Sequence, residues 1–258
     1  MNISVCPYYF TTQPQRMTDF LRAIGLSPVR TSGEEYTVLR GKAGSVAVHG
    51  ASGADFGHPG EAHLVLLVDD AQTYAQEMCA RGVEIEVWDE AWGKQAGIID
   101  PSGGGIWINE WCHDLYGYTD QENESPSNES SSVEVMMVRY SVDFSADRKF
   151  FEQLGFHSAP GADSWWEQMS ASDSSGWIGL HHGDAGQLVV REEAANPVGG
   201  AVPLVHLSFQ TTQPLAEVAR RLTQAGYPAQ VVTDTAATKV HVHDPDGHHV
   251  EIHPAEER

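Results

Sequence analysis

An α+β fold built from four βαβββ units, two in each half of the chain, is what this 258-residue sequence predicts. Three observations lead there. The two halves align with each other; a polar stretch with almost nothing to bury lies between them; and each half divides again into a strand, an amphipathic helix closed by glycine, and further strands.

The alignment is clearest in two segments. IIDPSGGGIWINEW (98–111) matches HVHDPDGHHVEIHP (241–254), pairing Asp100 with Asp244, Gly103 with Gly247 and Ile106 with Val250 at an offset of 144. MTDFLRAIGL (17–26) matches DRKFFEQLGF (147–156) at an offset of 130, and the strand around His63 matches the one around His206. The growing offset assigns extra residues to the second half, most simply in the Gly- and Pro-containing loop 183–202.

In the first unit, a strand at Ile3–Tyr9 leads to a helix ending at Gly25, then to extended segments around Tyr36–Leu39 and Ser45–His49. The second unit has a strand at His63–Val68, a helix ending at Gly82, and strands at Glu84–Val87, Gly97–Ile99 and Ile106–Trp111. The same order restarts at Val135 and at Val205, with helices ending at Gly155 and Gly226, where glycine suits a left-handed cap. YTDQENESPSNESSS (118–132) has the composition of a flexible linker, so the expected organisation is 1–117, linker 118–132, and 133–258.

The final turn and strand carry the densest chemistry. Asp244, Pro245, Asp246 and Gly247 suit a tight turn, and the following residues alternate. Val250 and Ile252 share one face with His248, while His249, Glu251 and His253 share the other, which is either a solvated strand face or a wall bearing chemistry. His241, His243, His248, His249 and His253 read as surface groups or as groups that support a site without ligating a metal.

Fifteen Lys and Arg against 36 Asp and Glu give a net charge of −21, which repels phosphate backbones and anionic lipid, so neither nucleic acid nor a membrane is an expected partner. With no long apolar run and no basic leader, a cytoplasmic protein is expected. Cys6, Cys79 and Cys112, odd in number and without metal-type spacing, imply no disulfide framework.

Taken together, the paired βαβββ units, the FFEQLGF helix end, the histidine opening a second-unit strand and the DPDGHHVEI strand resemble the vicinal oxygen chelate superfamily, which includes glyoxalases, extradiol dioxygenases and bleomycin-resistance proteins. The resemblance spans both halves. It implies open curled sheets with helices outside and a concave face that holds a small-molecule ligand. It also implies that a divalent metal (Zn, Ni, Mn or Fe) is held by His206 and Glu251 in the second half, at matching positions. Met136 and Gly179 fall near the remaining ligand positions, and neither can serve. His181, of the same strand parity as Gly179, would complete the set and share the chemistry with Glu251. A pairing between halves would bring His49 instead. In the first half only His63 holds a ligand position, since Trp107 stands where Glu251 does and Cys6 replaces the first-strand ligand. Trp107, His63, His249 and Trp177 would line cavities. The reaction implied is lyase or isomerase chemistry of glyoxalase type on neighbouring oxygens, with oxygen insertion less favoured. A metal-free binding protein of the bleomycin-resistance kind stays open as the alternative, as does monomer or homodimer.

Overall fold

The computed structural model describes residues 2–51, 57–111, 117–121, 131–183, 188–190, 201–203, 205–234 and 237–255. In the first quarter β1 (Ile3–Val5) and β2 (Tyr8–Thr11) precede α1 (Pro14–Ile24), β3 (Ser27–Ser32), β4 (Tyr36–Arg40) and β5 (Ser45–Gly50). The second quarter runs β6 (Ala62–His63), β7 (Val65–Val68), α2 (Ala71–Ala80), β8 (Glu86–Glu90), β9 (Gly93–Ile99) and β10 (Gly105–Glu110). A short strand, β11 (Thr119–Asp120), follows. The third quarter has β12 (Val133–Ser141), α3 (Phe144–Gln153), β13 (His157–Ser158), β14 (Trp166–Ser170) and β15 (Trp177–His182). After the small hairpin β16 (Leu188–Val190) and β17 (Ala201–Pro203) come β18 (His206–Thr211), α4 (Leu215–Gln224), β19 (Ala229–Thr233), β20 (Thr238–His243) and β21 (His249–Pro254).

The four-unit α+β architecture is therefore present, and all four expected glycine stops have positive φ, from 80° at Gly82 to 127° at Gly25. The second half makes one eight-stranded open sheet in the order β13-β14-β15-β12-β18-β21-β20-β19. The first half makes two sheets, β1-β7-β10-β9-β8 and β11-β3-β4-β5-β2-β6. One residue accounts for much of this difference. Pro7 lacks the N–H that a central strand must donate, so the single strand expected over Ile3–Tyr9 breaks into β1 and β2, whereas β12 runs unbroken for nine residues. Thr119 and Asp120, at the start of the stretch read as a linker, pair with Thr31 and Arg30 of β3; residues 122–130 of that stretch lie outside the described residues, as does most of the loop 183–202.

Helices cover the apolar sheet faces. Phe20, Leu21 and Ile24 of α1, Phe150 and Phe151 of α3, and Val218 and Leu222 of α4 join the strand residues Val46, Leu66, Phe209 and Ile252 in one buried core that runs through both halves.

The halves meet about an approximate two-fold relation. Val5 N–H donates to Ser175 O at 2.8 Å, and its counterpart Val135 N–H donates to Ala43 O at 2.9 Å. Next to these bonds Gly44 and Gly176, both at positive φ, come together; a Cβ on Gly176 would stand 2.5 Å from Val5 Cγ2 and 3.0 Å from Gly44 Cα. The aspartate of each DPxG turn does two jobs. Oδ1 of Asp100 accepts the N–H groups of Ser102 and Gly104, as Oδ1 of Asp244 accepts those of Asp246 and His248. Oδ2 reaches into the opposite half, taking the Arg139 guanidinium at 2.5 Å in one case and the Tyr9 hydroxyl at 2.5 Å in the other. Tyr9 and Arg139 hold equivalent places on the first strands of the two halves, at the offset of 130 read from the sequence. No helix among the described residues is long and apolar enough to cross a membrane.

Candidate functional site

Each half encloses a cavity on its concave sheet face, about 490 Å³ in the first and about 620 Å³ in the second. In the second, alternation does what strand geometry requires. Val240, Val242, Val250 and Ile252 are buried under helices, while Lys239, His249, Glu251 and His253 line the cavity opposite His206, His181 and Tyr140.

The hairpin through Asp244–Gly247 sets the decisive register. Antiparallel pairing puts His241 opposite Glu251 and His243 opposite His249. Donor atoms of His241, His249 and Glu251 then lie within 4.8 Å of one another, the one such group of three among the described residues. His241 Nε2 is 3.2 Å from Glu251 Oε1, and His249 Nδ1 is 4.0 Å from the same oxygen. Lys239 Nζ also approaches that oxygen, at 2.9 Å, and His253 Nε2 lies 3.1 Å from Oε2. The hydrogen bond from His253, with help from Lys239, holds the Glu251 carboxyl down at about 2 against the opposing effect of burial. Desolvation keeps His249 below the ordinary imidazole value, and neighbouring His241 lowers it further.

The residues expected to bind metal are divided by this geometry. Glu251 belongs to the cluster, but His181 and His206 do not; both pack against the Tyr140 ring, with centroids 5.2 Å away in each case. His206 opposes Val138 on the first strand, so that strand offers no donor beside it, and Met136, which was expected there, is buried two residues earlier. Desolvation lowers the His206 pKa, with a further contribution from His248. His181 Nδ1 lies 2.9 Å from the carbonyl of His182, which can only accept, and this bond puts the ring proton on Nδ1. The first half repeats the motif: Phe10 packs 5.5 Å from His49 and 4.7 Å from His63, and His49 Nδ1 bonds the Gly50 carbonyl. His63 is buried against Glu61 Oε2 at 3.0 Å and, like Trp177, is not among the side chains lining either cavity. Trp177 instead donates its indole N–H to Glu134 at 2.6 Å. Trp107 and His49 do line the first cavity, and His249 lines the second.

His241 is the member of this cluster that the sequence reading passed over. Its signal was the turn: a hairpin centred on Asp246 makes TKVHVH and HVEIHP face each other in a fixed register.

The cluster suits a divalent cation. Two imidazoles and a carboxylate are donors for Zn, Mn, Ni or Fe(II), and ligands about 2 Å from one ion sit some 3–3.5 Å apart; the 3.2 Å between His241 and Glu251 falls in that range, and the 4.0 Å between His249 and Glu251 requires His249 to move closer. His241 Nε2 is buried without a hydrogen-bond partner. Lys239, the present counter-charge, also lies 3.1 Å from Asp234 Oδ2 and so has a second carboxylate to hold it.

The sequence matches no protein-family model and no curated protein. Among solved structures, the chain superimposes on a catechol 2,3-dioxygenase with a TM-score of 0.60 at 14% identity, covering 98% of this chain and 87% of that one. It superimposes on homoprotocatechuate 2,3-dioxygenase from Arthrobacter globiformis with a TM-score of 0.60 at 15% identity, over 99% and 81% of the two chains. For the 2,3-dioxygenase LapB from Pseudomonas sp. KL28 the values are 0.59, 13%, 98% and 91%. At such identities the likeness shows a shared fold: the repeated βαβββ fold of the two-domain extradiol dioxygenases extends over essentially the whole chain.

Proposed function

We propose that this chain, built on the fold of the extradiol dioxygenases, is a divalent-metal-dependent enzyme that acts in the second-half cavity on a small molecule with two neighbouring oxygens. The observation that carries this reading is the convergence of His241, His249 and Glu251, with His241 Nε2 buried 3.2 Å from Glu251 Oε1 and making no hydrogen bond, beside a cavity of about 620 Å³. The three residues would hold the ion, which when bound supplies Lewis acidity toward a substrate oxygen.

The chain's own groups do the rest. Glu251 is oriented from both sides, with Lys239 on Oε1 and His253 on Oε2. His206, neutral at physiological pH because its pKa is lowered, is an acceptor for a proton leaving a substrate carbon or hydroxyl. His181 carries its proton on Nδ1 and presents a basic Nε2, so it shares that role. Tyr140, Trp165 and Trp166 form aromatic walls that orient a planar substrate and exclude water. Proton movement beside a polarised oxygen is lyase or isomerase chemistry. Oxygen insertion ranks below it, because the resemblance implies a first-strand ligand for that chemistry and the first strand here has Val138 opposite His206.

Native mass spectrometry of protein equilibrated with Zn, Ni, Mn or Fe(II) tests the reading. About one ion per chain is expected for wild type, and none for His241→Ala combined with His249→Ala. Retention of the ion by that variant, or no ion under any condition, overturns it.

A further inference from the structure

The first-half cavity has a different chemistry, and nothing in the metal reading uses it. Its polar interior is a ladder. Gln95 Nε2 donates to Asn109 Oδ1 at 2.6 Å, Asn109 Nδ2 donates to the Tyr8 hydroxyl at 2.8 Å, and the Tyr8 and Tyr36 hydroxyls are 3.2 Å apart. Tyr8 and Tyr36 share one hydrogen between them, so whichever donates, the other hydroxyl has a hydrogen for which the ladder has no acceptor. Burial holds both phenols above their ordinary pKa, which leaves them donors at any physiological pH.

The walls are aromatic: Trp92, Trp107, Trp111 and Tyr118 join the two tyrosines. Three glutamates line the space, Glu35, Glu90 and Glu110, of which the first two are exposed at its rim. The one lysine or arginine among the lining residues is Arg30, and Asp120 takes its guanidinium in two bonds of 2.6 and 3.1 Å. Arg30 and Arg40 already lie over the Trp111 ring, 4.4 and 4.8 Å from its centroid, so the aromatic walls left for a ligand are Trp92, Trp107 and the tyrosines, where the two rim carboxylates favour positive charge over negative. Where the second half has Glu251, this half has Trp107, so a flat hydrophobic face replaces the metal-binding carboxylate.

We propose that the first-half cavity is a second, metal-independent binding site whose ligand is a planar organic cation bearing a hydrogen-bond acceptor. The ring lies among Trp92, Trp107 and the tyrosines, the positive charge faces Glu35 and Glu90, and the acceptor takes the spare hydroxyl hydrogen of the Tyr8–Tyr36 pair.

Calorimetric titration at low ionic strength tests this with three small probes of one ring size: 1-methylnicotinamide (cation, carbonyl acceptor), nicotinamide (neutral, same acceptor) and nicotinate (anion). The cation should bind about tenfold more tightly than nicotinamide, with nicotinate weakest, a ratio of the order that cation–π contact and rim charge together supply. Glu35→Gln combined with Glu90→Gln should bring the cation down to the level of nicotinamide, and both positions are exposed, so folding should survive. Trp165→Ala, at the other cavity, should leave binding unchanged. The proposal is overturned if the cation binds no better than nicotinamide, if nicotinate binds best, or if Trp165→Ala rather than the rim variant removes binding. A failure of metal binding at His241 would leave this result untouched.

Discussion

Replacing Arg139 with Met removes the guanidinium that joins the halves and leaves a side chain of similar length in its place. Arg139 faces Asp100 at 2.5 Å and Asp147 at 3.3 Å, and the three side chains are 2%, 0% and 6% exposed, so solvent can take over from none of the lost contacts. Removing one partner of a buried pair costs about 3–5 kcal/mol, because the surviving charge is left without compensation. Asp100 Oδ1 keeps its turn donors, so the loss falls on Oδ2 and on Asp147. Tyr9→Phe, at the equivalent place, removes a single O–H from Asp244 and should cost about 1.5–3 kcal/mol. Urea unfolding followed by tryptophan fluorescence measures both, provided the slope with denaturant is unchanged. Adding Asp100→Asn and Asp147→Asn to Arg139→Met should recover part of the loss, since the stranded charges are then gone. A loss below about 1 kcal/mol for Arg139→Met, or a larger one for Tyr9→Phe, would refute the claim that these aspartates are electrostatic clamps.

Gly176→Ala combines a positive φ of 73° with a Cβ 2.9 Å from Val135 O, and should cost about 2–4 kcal/mol in the same denaturation assay; a neutral result would mean that the halves can part slightly at that seam. Burial pushes the Cys6 thiol up to about 12, so at pH 8 its peptide should stay unalkylated by iodoacetamide while exposed Cys79 is labelled, and both should react in urea. The Arg30 hydrogen bond holds the Asp120 carboxyl below 3.8, so its contribution to stability is complete above about pH 4 and is lost as pH falls through the depressed value. Subtracting the stability–pH curve of Asp120→Asn from that of wild type should isolate this step, and a flat difference would discount the pair.

The fold was legible because its signals are local and repeated. Helix-closing glycines, DPxG turns and alternating strands each have a backbone cause, and the constant offset between the halves multiplied them. The break at Pro7 was legible too, in that proline cannot donate to a ladder, but the segment was read as one strand over Ile3–Tyr9. The site was legible only in part. Alternation put His249 and Glu251 on one face, but grouping them with His206 and His181 needed distances across strands that sequence alone does not supply. His241 enters through hairpin register, while His181 and His206 are engaged by Tyr140, a neighbour 41 and 66 residues away along the chain. Trp177 was expected at a cavity because indoles suit ligands; its N–H instead found Glu134, a partner that a buried tryptophan needs whether or not a ligand exists.

The clamps from the DPxG turns also bear on how the chain unfolds. Because each aspartate organises its own turn and grips the opposite first strand, neither half can melt without removing two buried contacts from the other, so the chain should unfold in a single transition. Both cavities then draw on the same equilibrium. A ligand held in either one raises the stability of the whole chain by an amount set by its concentration relative to its Kd, and two ligands in separate cavities contribute independently, with neither altering the affinity of the other. Thermal shifts that sum would be the signature of one scaffold serving two independent sites.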